Sequence, residues 1–211
     1  AGAELIGSCD IKNEAELVIL MIDVVKKFTT KKIFLDLGHI GIFRKLIEST
    51  NLENEQKKQI KKLIKSKSSS EIKKYLNNIN VSEDFKECIS SFPKMHGSIK
   101  NIRKNLDQLK YFNSDIENDI DYMINLGNLV GAKHTDVQVN YDFCELQGFD
   151  YENDIIFSAY IENNSEEVAL GGKYDCSENN TSGIGFSVDI RYLLKNQPDY
   201  LLILPWNIAD E

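Results

Sequence analysis

Residues 144–160 read CELQGFDYENDIIFSAY, and the change of character inside this stretch decides how the C-terminal part of the chain is built. Its first half is a Gly turn with an Asp-Tyr pair. From Asp154 onward apolar and polar side chains alternate, the period of a half-buried strand. The same period recurs in DVQVNYD (136–142), DIIFSAYIE (154–162), EEVALGGKYD (166–175) and SGIGFSVDI (182–190), separated by Gly, Asn and Ser turns. Four strands in succession, mostly joined by short turns, predict an antiparallel sheet, and IRYLLKN (190–196) reads as a closing helix. The stretch also poses a chemical question. Asp150, Glu152 and Asp154 crowd together and nothing in LQGFDYEND is basic, so a pocket built here for a phosphate or acyl phosphate would repel its own substrate.

Working toward the N-terminus, NEAELVILMIDVVKKF (13–28) has an acidic first turn and apolar residues at helical spacing. It lies between two strand-like segments, AELIGS and KKIFLDLGH (31–39), and GIFRKLIEST (41–50) returns to helix. Composition then shifts toward Lys, Asn, Ser and Glu. Apolar residues three or four apart, among them Ile60, Leu63, Ile64, Ile72, Tyr75 and Leu76, predict several short helices. Two more helical stretches follow, SIKNIRKNLDQLKYF (98–112) and DIENDIDYMINLGNLVG (115–131). The expected organisation is α+β: residues 1–50 as the first part of a core, 51–131 as a helical insertion, and 132–211 as the antiparallel remainder. AGAELIGS opens in strand-like residues without Met, so the chain is expected to lack the N-terminal part of its fold.

The chain has 211 residues, 42% of them hydrophobic, enough for a substantial core. Its net charge of −8 argues against sequence-independent binding to nucleic acid, which needs clustered positive charge. The one basic run, KKQIKKLIKSKSSSEIKK (57–74), lacks interleaved aromatics and reads as a solvated helix face. Cys9, Cys88, Cys144 and Cys176 are widely spaced without a CxxC pair or a secretory leader, the usage of reduced, cytoplasmic thiols. His39, His96 and His134 are scattered, no metal-ligand spacing occurs, and no apolar run is long enough to span a membrane. No metal or cofactor is implied.

Three stretches in order, AGAELIGSCDIKNEAELVIL, LQGFDYENDIIFSAY and GGKYD followed by SGIGFSVDIRYLL, resemble the back half of the catalytic-type domain of histidyl-tRNA synthetases. They also resemble the catalytically silent relatives of those enzymes, above all the HisZ family, the regulatory subunits of ATP phosphoribosyltransferase. The resemblance covers roughly residues 1–50 and 135–195. It implies a class II aminoacyl-tRNA synthetase-like antiparallel sheet flanked by helices and carrying a helical insertion. Gly-Glu-Leu-Ile-Gly, GFDY and GGKYD are individually weak signals, and their common order is the stronger one.

Residue by residue, the resemblance places a degenerate histidine-type pocket at Glu4, Gln147, Tyr151, Glu152, Gly171 and Gly172. Glu4 matches the carboxylate that grips the imidazole of histidine, and Tyr151 matches the first of two tyrosines. Glu152 stands where the second would be. Gln147 replaces the arginine set against the reacting carboxylate and phosphate; an amide offers at most two donors and no compensating charge. In the last motif Asp189 replaces a Gly and Tyr192 replaces the ATP-contacting arginine. Arg191 is one position early, about 100° around a helix. Plainer readings stand beside these: Glu4 as an edge-strand side chain, Asp150 and Tyr151 as a turn cap packed in the core, Gly171 and Gly172 as a bulge or tight turn, His39 as a cap or packing residue.

No catalytic residue is assigned. The resemblance to the regulatory subunits implies a non-catalytic protein that binds and activates the short form of ATP phosphoribosyltransferase in the first step of histidine biosynthesis. It also implies participation in histidine feedback inhibition, self-association into a dimer, and histidine as a ligand. The alternative is a histidyl-tRNA synthetase, or a synthetase-like fragment or histidine-binding paralogue. An active synthetase predicts Arg at positions 147 and 192 and a further C-terminal α/β domain, for which the residues after the last motif leave no room.

Overall fold

The computed structural model describes residues 1–7, 10–103, 109, 112–146, 152–176 and 181–189. β1 (Gly2–Ile6) leads into α1 (Ile11–Lys26), and β2 (Ile33–His39) leads directly into α2 (Ile40–Glu48). Four further helices follow: α3 (Asn54–Lys65), α4 (Ser69–Leu76), α5 (Glu83–Ser91) and α6 (Ile99–Arg103). The two-residue strand β3 (His96–Gly97) lies just before α6, and α7 (Ile116–Lys133) precedes β4 (Gln138–Asp142). β5 (Glu152–Ile161), β6 (Ala169–Cys176) and β7 (Thr181–Val188) complete the described elements.

The helices start where the sequence supplies caps. Asp10 accepts from the backbone N–H groups of Lys12 and Asn13 at 3.0 and 2.9 Å, opening α1. Glu53 and Gln56 form a reciprocal capping box at α3, while Ser68 and Ser82 cap α4 and α5. Of the stretch 98–112, the described helix is Ile99–Arg103; the expected closing helix at 190–196, with Arg191 and Tyr192, lies outside the described residues.

The described strands form one sheet in the order β1-β7-β6-β5-β2-β4-β3. β5, β6 and β7 make the expected antiparallel meander, and β1 adds to β7 antiparallel. The sheet is nevertheless mixed, because β4 pairs with β2 in parallel, Leu35 opposite Val139, and β2 separates it from β5. Parallel neighbours require a long crossover, and the segment between β2 and β4 supplies one. Reading four consecutive strands as one meander missed this, since strand period carries no information about pairing partner.

One face of the sheet is packed. Leu35, Leu37, Ile155, Phe157, Ala159 and Ile184 are fully buried there, under α1 and α7. α1 contributes Val18, Met21 and Ile22, and α7 contributes Ile116, Ile120, Met123 and Leu126, all fully buried. Residues of the opposite parity on β1 and β7, Glu4, Ile6 and Ser187, are exposed. That contrast defines an open face at the β1 end of the sheet.

Candidate functional site

The register lays three of the sequence-derived candidates, Glu4, Glu152 and Gly172, on two adjoining rows of one sheet face. Glu4 lies opposite Gly185, which lies opposite Gly172, which lies opposite Ile156. One pleat further, Ile6 pairs with Gly183, Gly183 with Tyr174, and Tyr174 with the backbone of Glu152. Glu4, Gly172 and Glu152 are thereby brought together on three different strands. Gln147 and Tyr151 lie outside the described residues, and of Glu152 only the backbone is described.

The glycines on these rows have steric work. A Cβ on Gly185 would come within 2.7 Å of Glu4 Cγ, and one on Gly183 within 2.7 Å of Tyr174 Cζ. The Glu4 and Tyr174 side chains therefore lie over glycine backbone and cover it, so a ligand on this face would meet those side chains. The Tyr174 ring is a member of this face that the sequence reading passed over, although it sits in the quoted GGKYD. The two glycines of that motif divide. By register Gly172 shares the face of Glu4 but is itself buried, whereas a Cβ on Gly171 would point to the core, strike Gly185 O and come within 2.6 Å of the Phe157 ring. For Gly171 close packing accounts for the residue without a ligand.

The cation absent from residues 144–160 arrives from the neighbouring strand. Lys173 Nζ lies 3.7 Å from Asp154 Oδ2 and 3.0 Å from Glu14 Oε1. Glu14 is fully buried, and its Oε2 accepts from the hydroxyl of Tyr122 on α7. The Lys173 ammonium also sits 5.9 Å from the centroid of the Tyr122 ring. Contact with Glu14 is an ion pair rather than an aligned hydrogen bond, since Oε1 has no hydrogen-bond partner. The network ties α1, α7, β5 and β6 together beneath the sheet, so Lys173 works on the covered face and not beside Glu4. The strands β1, β5, β6 and β7 hold no other Lys or Arg within their described bounds.

A second polar cluster adjoins it at the start of α2. His39 is buried, with Nδ1 4.0 Å from Asp119 Oδ2, and Lys45 Nζ donates to the same oxygen at 2.6 Å. Burial pushes the His39 imidazole below its ordinary pKa, against the opposing pull of Asp119 and Asp154. Neutral, enclosed and without a side-chain cap bond, His39 packs the β2–α2 junction.

The family described as histidyl-tRNA synthetase matches residues 1–193. A curated ATP phosphoribosyltransferase regulatory subunit from Oceanobacillus iheyensis is 26% identical over 198 residues, 92% of this chain and 49% of the relative. One of the same description from Clostridium botulinum is 29% identical over 178 residues, 83% and 42% of the two chains. The chain thus spans about half the length of the curated relatives it matches. Among solved structures, an ATP phosphoribosyltransferase regulatory subunit/histidyl-tRNA synthetase from Bacillus halodurans superposes with a TM-score of 0.79 at 18% identity, covering 92% of this chain and 52% of that one. The ATP phosphoribosyl transferase (HisG:HisZ) complex from Thermotoga maritima gives 0.67 at 19% identity, covering 89% and 64%. These structural likenesses establish the synthetase-like fold.

Proposed function

The chain belongs to the histidyl-tRNA synthetase family, and within it we propose that this protein is a non-catalytic regulatory subunit of ATP phosphoribosyltransferase. In this reading it binds and activates a short-form catalytic subunit, and histidine binding to it contributes to feedback inhibition. The name shared by the curated relatives supports the assignment, as does the complex formed by the Thermotoga maritima protein.

The observation that carries the reading is the fate of positive charge around the open face. Acyl and phosphoryl chemistry needs fixed cationic donors where negative charge develops, and loss of one such group typically costs about 3 kcal/mol or more in the transition state. Position 147 is Gln. Lys173, the cation nearest in the sheet, is engaged by Glu14 and Asp154 on the covered side. Two polar side chains of the described face, Glu4 and Tyr174, can hold an amine or an imidazole by accepting its N–H bonds. That fits ligand sensing without activation chemistry.

Histidine-dependent exchange of pyrophosphate into ATP tests the non-catalytic half of the proposal. The expected result is exchange at the level of a protein-free control while histidine still binds; exchange above that level would return the protein to the synthetases.

A further inference from the structure

The far end of the same sheet face, at β2, β4 and β3, holds a cleft of about 580 Å³, separate from the Glu4 rows and within the usual size range of small-molecule sites. A relay headed by Lys32, outside the lining, runs in one direction through the polar side chains of the cleft. Lys32 Nζ donates to Gln138 Oε1 at 2.7 Å, Gln138 Nε2 donates to Asn140 Oδ1 at 3.1 Å, and Asn140 Nδ2 donates to Asp36 Oδ1 at 3.0 Å. Each amide spends its acceptor inside the relay, and the relay ends on the Asp36 carboxylate.

The other charges of the cleft are already matched. Asp142 accepts from Lys67 Nζ at 2.6 Å through one oxygen and from the Cys144 backbone N–H at 2.8 Å through the other. Asp36 receives no second hydrogen bond among the described residues, and burial raises its pKa above the ordinary carboxylate value, opposed by the Asn140 hydrogen bond. His96, opposite Asp142 on β3, is exposed at the mouth.

We propose that this cleft is a binding site for a small ligand bearing a protonated amine, which pairs with Asp36 while the Lys32–Gln138–Asn140 relay holds the carboxylate in place. A neutral or anionic ligand gains nothing from a half-buried carboxylate with an acceptor to spare. A cation supplies both the donor and the charge it lacks. Lys67 does not oppose such a ligand strongly, because Asp142 neutralises it at contact distance. The shared chemistry, a protonated amine, fits free amines and amino acids alike. The inference does not depend on the regulatory assignment.

The chain has three histidines, so the ring resonances of His96 can be followed by NMR while cadaverine, L-lysine and glycerol are titrated into the full chain. Cadaverine and L-lysine differ only by a carboxylate, and glycerol is the neutral control. The expected result is a saturable shift of the His96 ring with an amine and none with glycerol, and at least tenfold weaker binding in D36N, whose side chain keeps its size and can still accept from Asn140. Tighter binding of L-lysine than cadaverine would assign the site to amino acids, and the reverse to simple amines; both support the proposal. Should D36N fail to fold, N140A, which removes the last donor of the relay, is expected to weaken binding in the same sense. Absence of any amine-dependent shift, equal binding by the variants, or an equal response to glycerol would overturn it.

Discussion

Replacing Lys173 by Met should damage the protein out of proportion to one partly buried side chain. Lys173 is 18% exposed and faces Glu14, which is 0% exposed, across 3.0 Å. Met fills the volume of the lysine stem but supplies no charge. Among the described residues Glu14 would then keep only the Tyr122 hydroxyl against the cost of an enclosed carboxylate. Breaking a buried pair from one side costs about 3–5 kcal/mol, whereas exchanging both partners for uncharged groups of similar volume is often neutral. Asp154 adds little to the loss, being 41% exposed and 3.7 Å away. For a chain of this size each kcal/mol moves the melting temperature by about 2–4 °C, so K173M should melt about 6–20 °C below the parent. The double variant E14Q/K173M should recover most of that loss. Urea unfolding of the parent, both single variants and the double variant measures the coupling. A loss under about 1 kcal/mol in K173M, or a double variant no better than the worse single variant, would show that Glu14 does not depend on Lys173.

G171A, which drives a methyl into Phe157 and the Gly185 carbonyl, should cost about 1–3 kcal/mol by overpacking, read from the shift of the urea midpoint. Lys67 holds its Asp142 contact from a left-handed backbone at φ 53°; K67A loses the contact and keeps the strain, while K67G loses both, so K67G should be the more stable by roughly 1 kcal/mol. Because His39 binds its proton less readily folded than unfolded, the unfolded state takes up protons first as pH falls below about 6.5. Stability should therefore decline there, and H39N should flatten the urea-midpoint profile between pH 5 and about 7. Burial pushes the thiols of Cys88 and Cys144 up to about 12; peptide mapping after alkylation at pH 8 should find both unmodified in the native protein and modified in urea.

What the sequence made legible were features carried by local period and local caps. Alternation over 154–162 and 182–190 located β5 and β7, and Ile116, Ile120, Met123 and Ile124 at helical spacing located α7 on its buried side. Pairing was harder to see. Nothing in IFLDLGH or DVQVNYD says that these segments lie side by side in parallel, because the information sits in the packing of the intervening helices. β3 is two residues long, too short to show any period.

The candidate site was legible in part for the same reason. The motifs named Glu4 and Gly172, and the register brings both onto one face. Glu14 was hidden by its position: an acid in the first turn of a helix already has a sufficient reason in the helix dipole, so its buried partner on a distant strand left no trace. Lys67 was hidden among seven neighbouring lysines between residues 57 and 74, most of them on a solvated face, although it reaches the buried Asp142 carboxylate. Charge runs report composition, and only the fold tells which member is spent.

If this protein regulates rather than catalyses, the rate of phosphoribosyl-ATP formation by a short-form ATP phosphoribosyltransferase from the same source, with and without the full-length protein and across a histidine titration, will show it. The rate should rise with the added protein and fall back as histidine is added. A transferase whose rate and histidine response are unchanged by saturating amounts of the protein, with no complex on co-sedimentation, would contradict it.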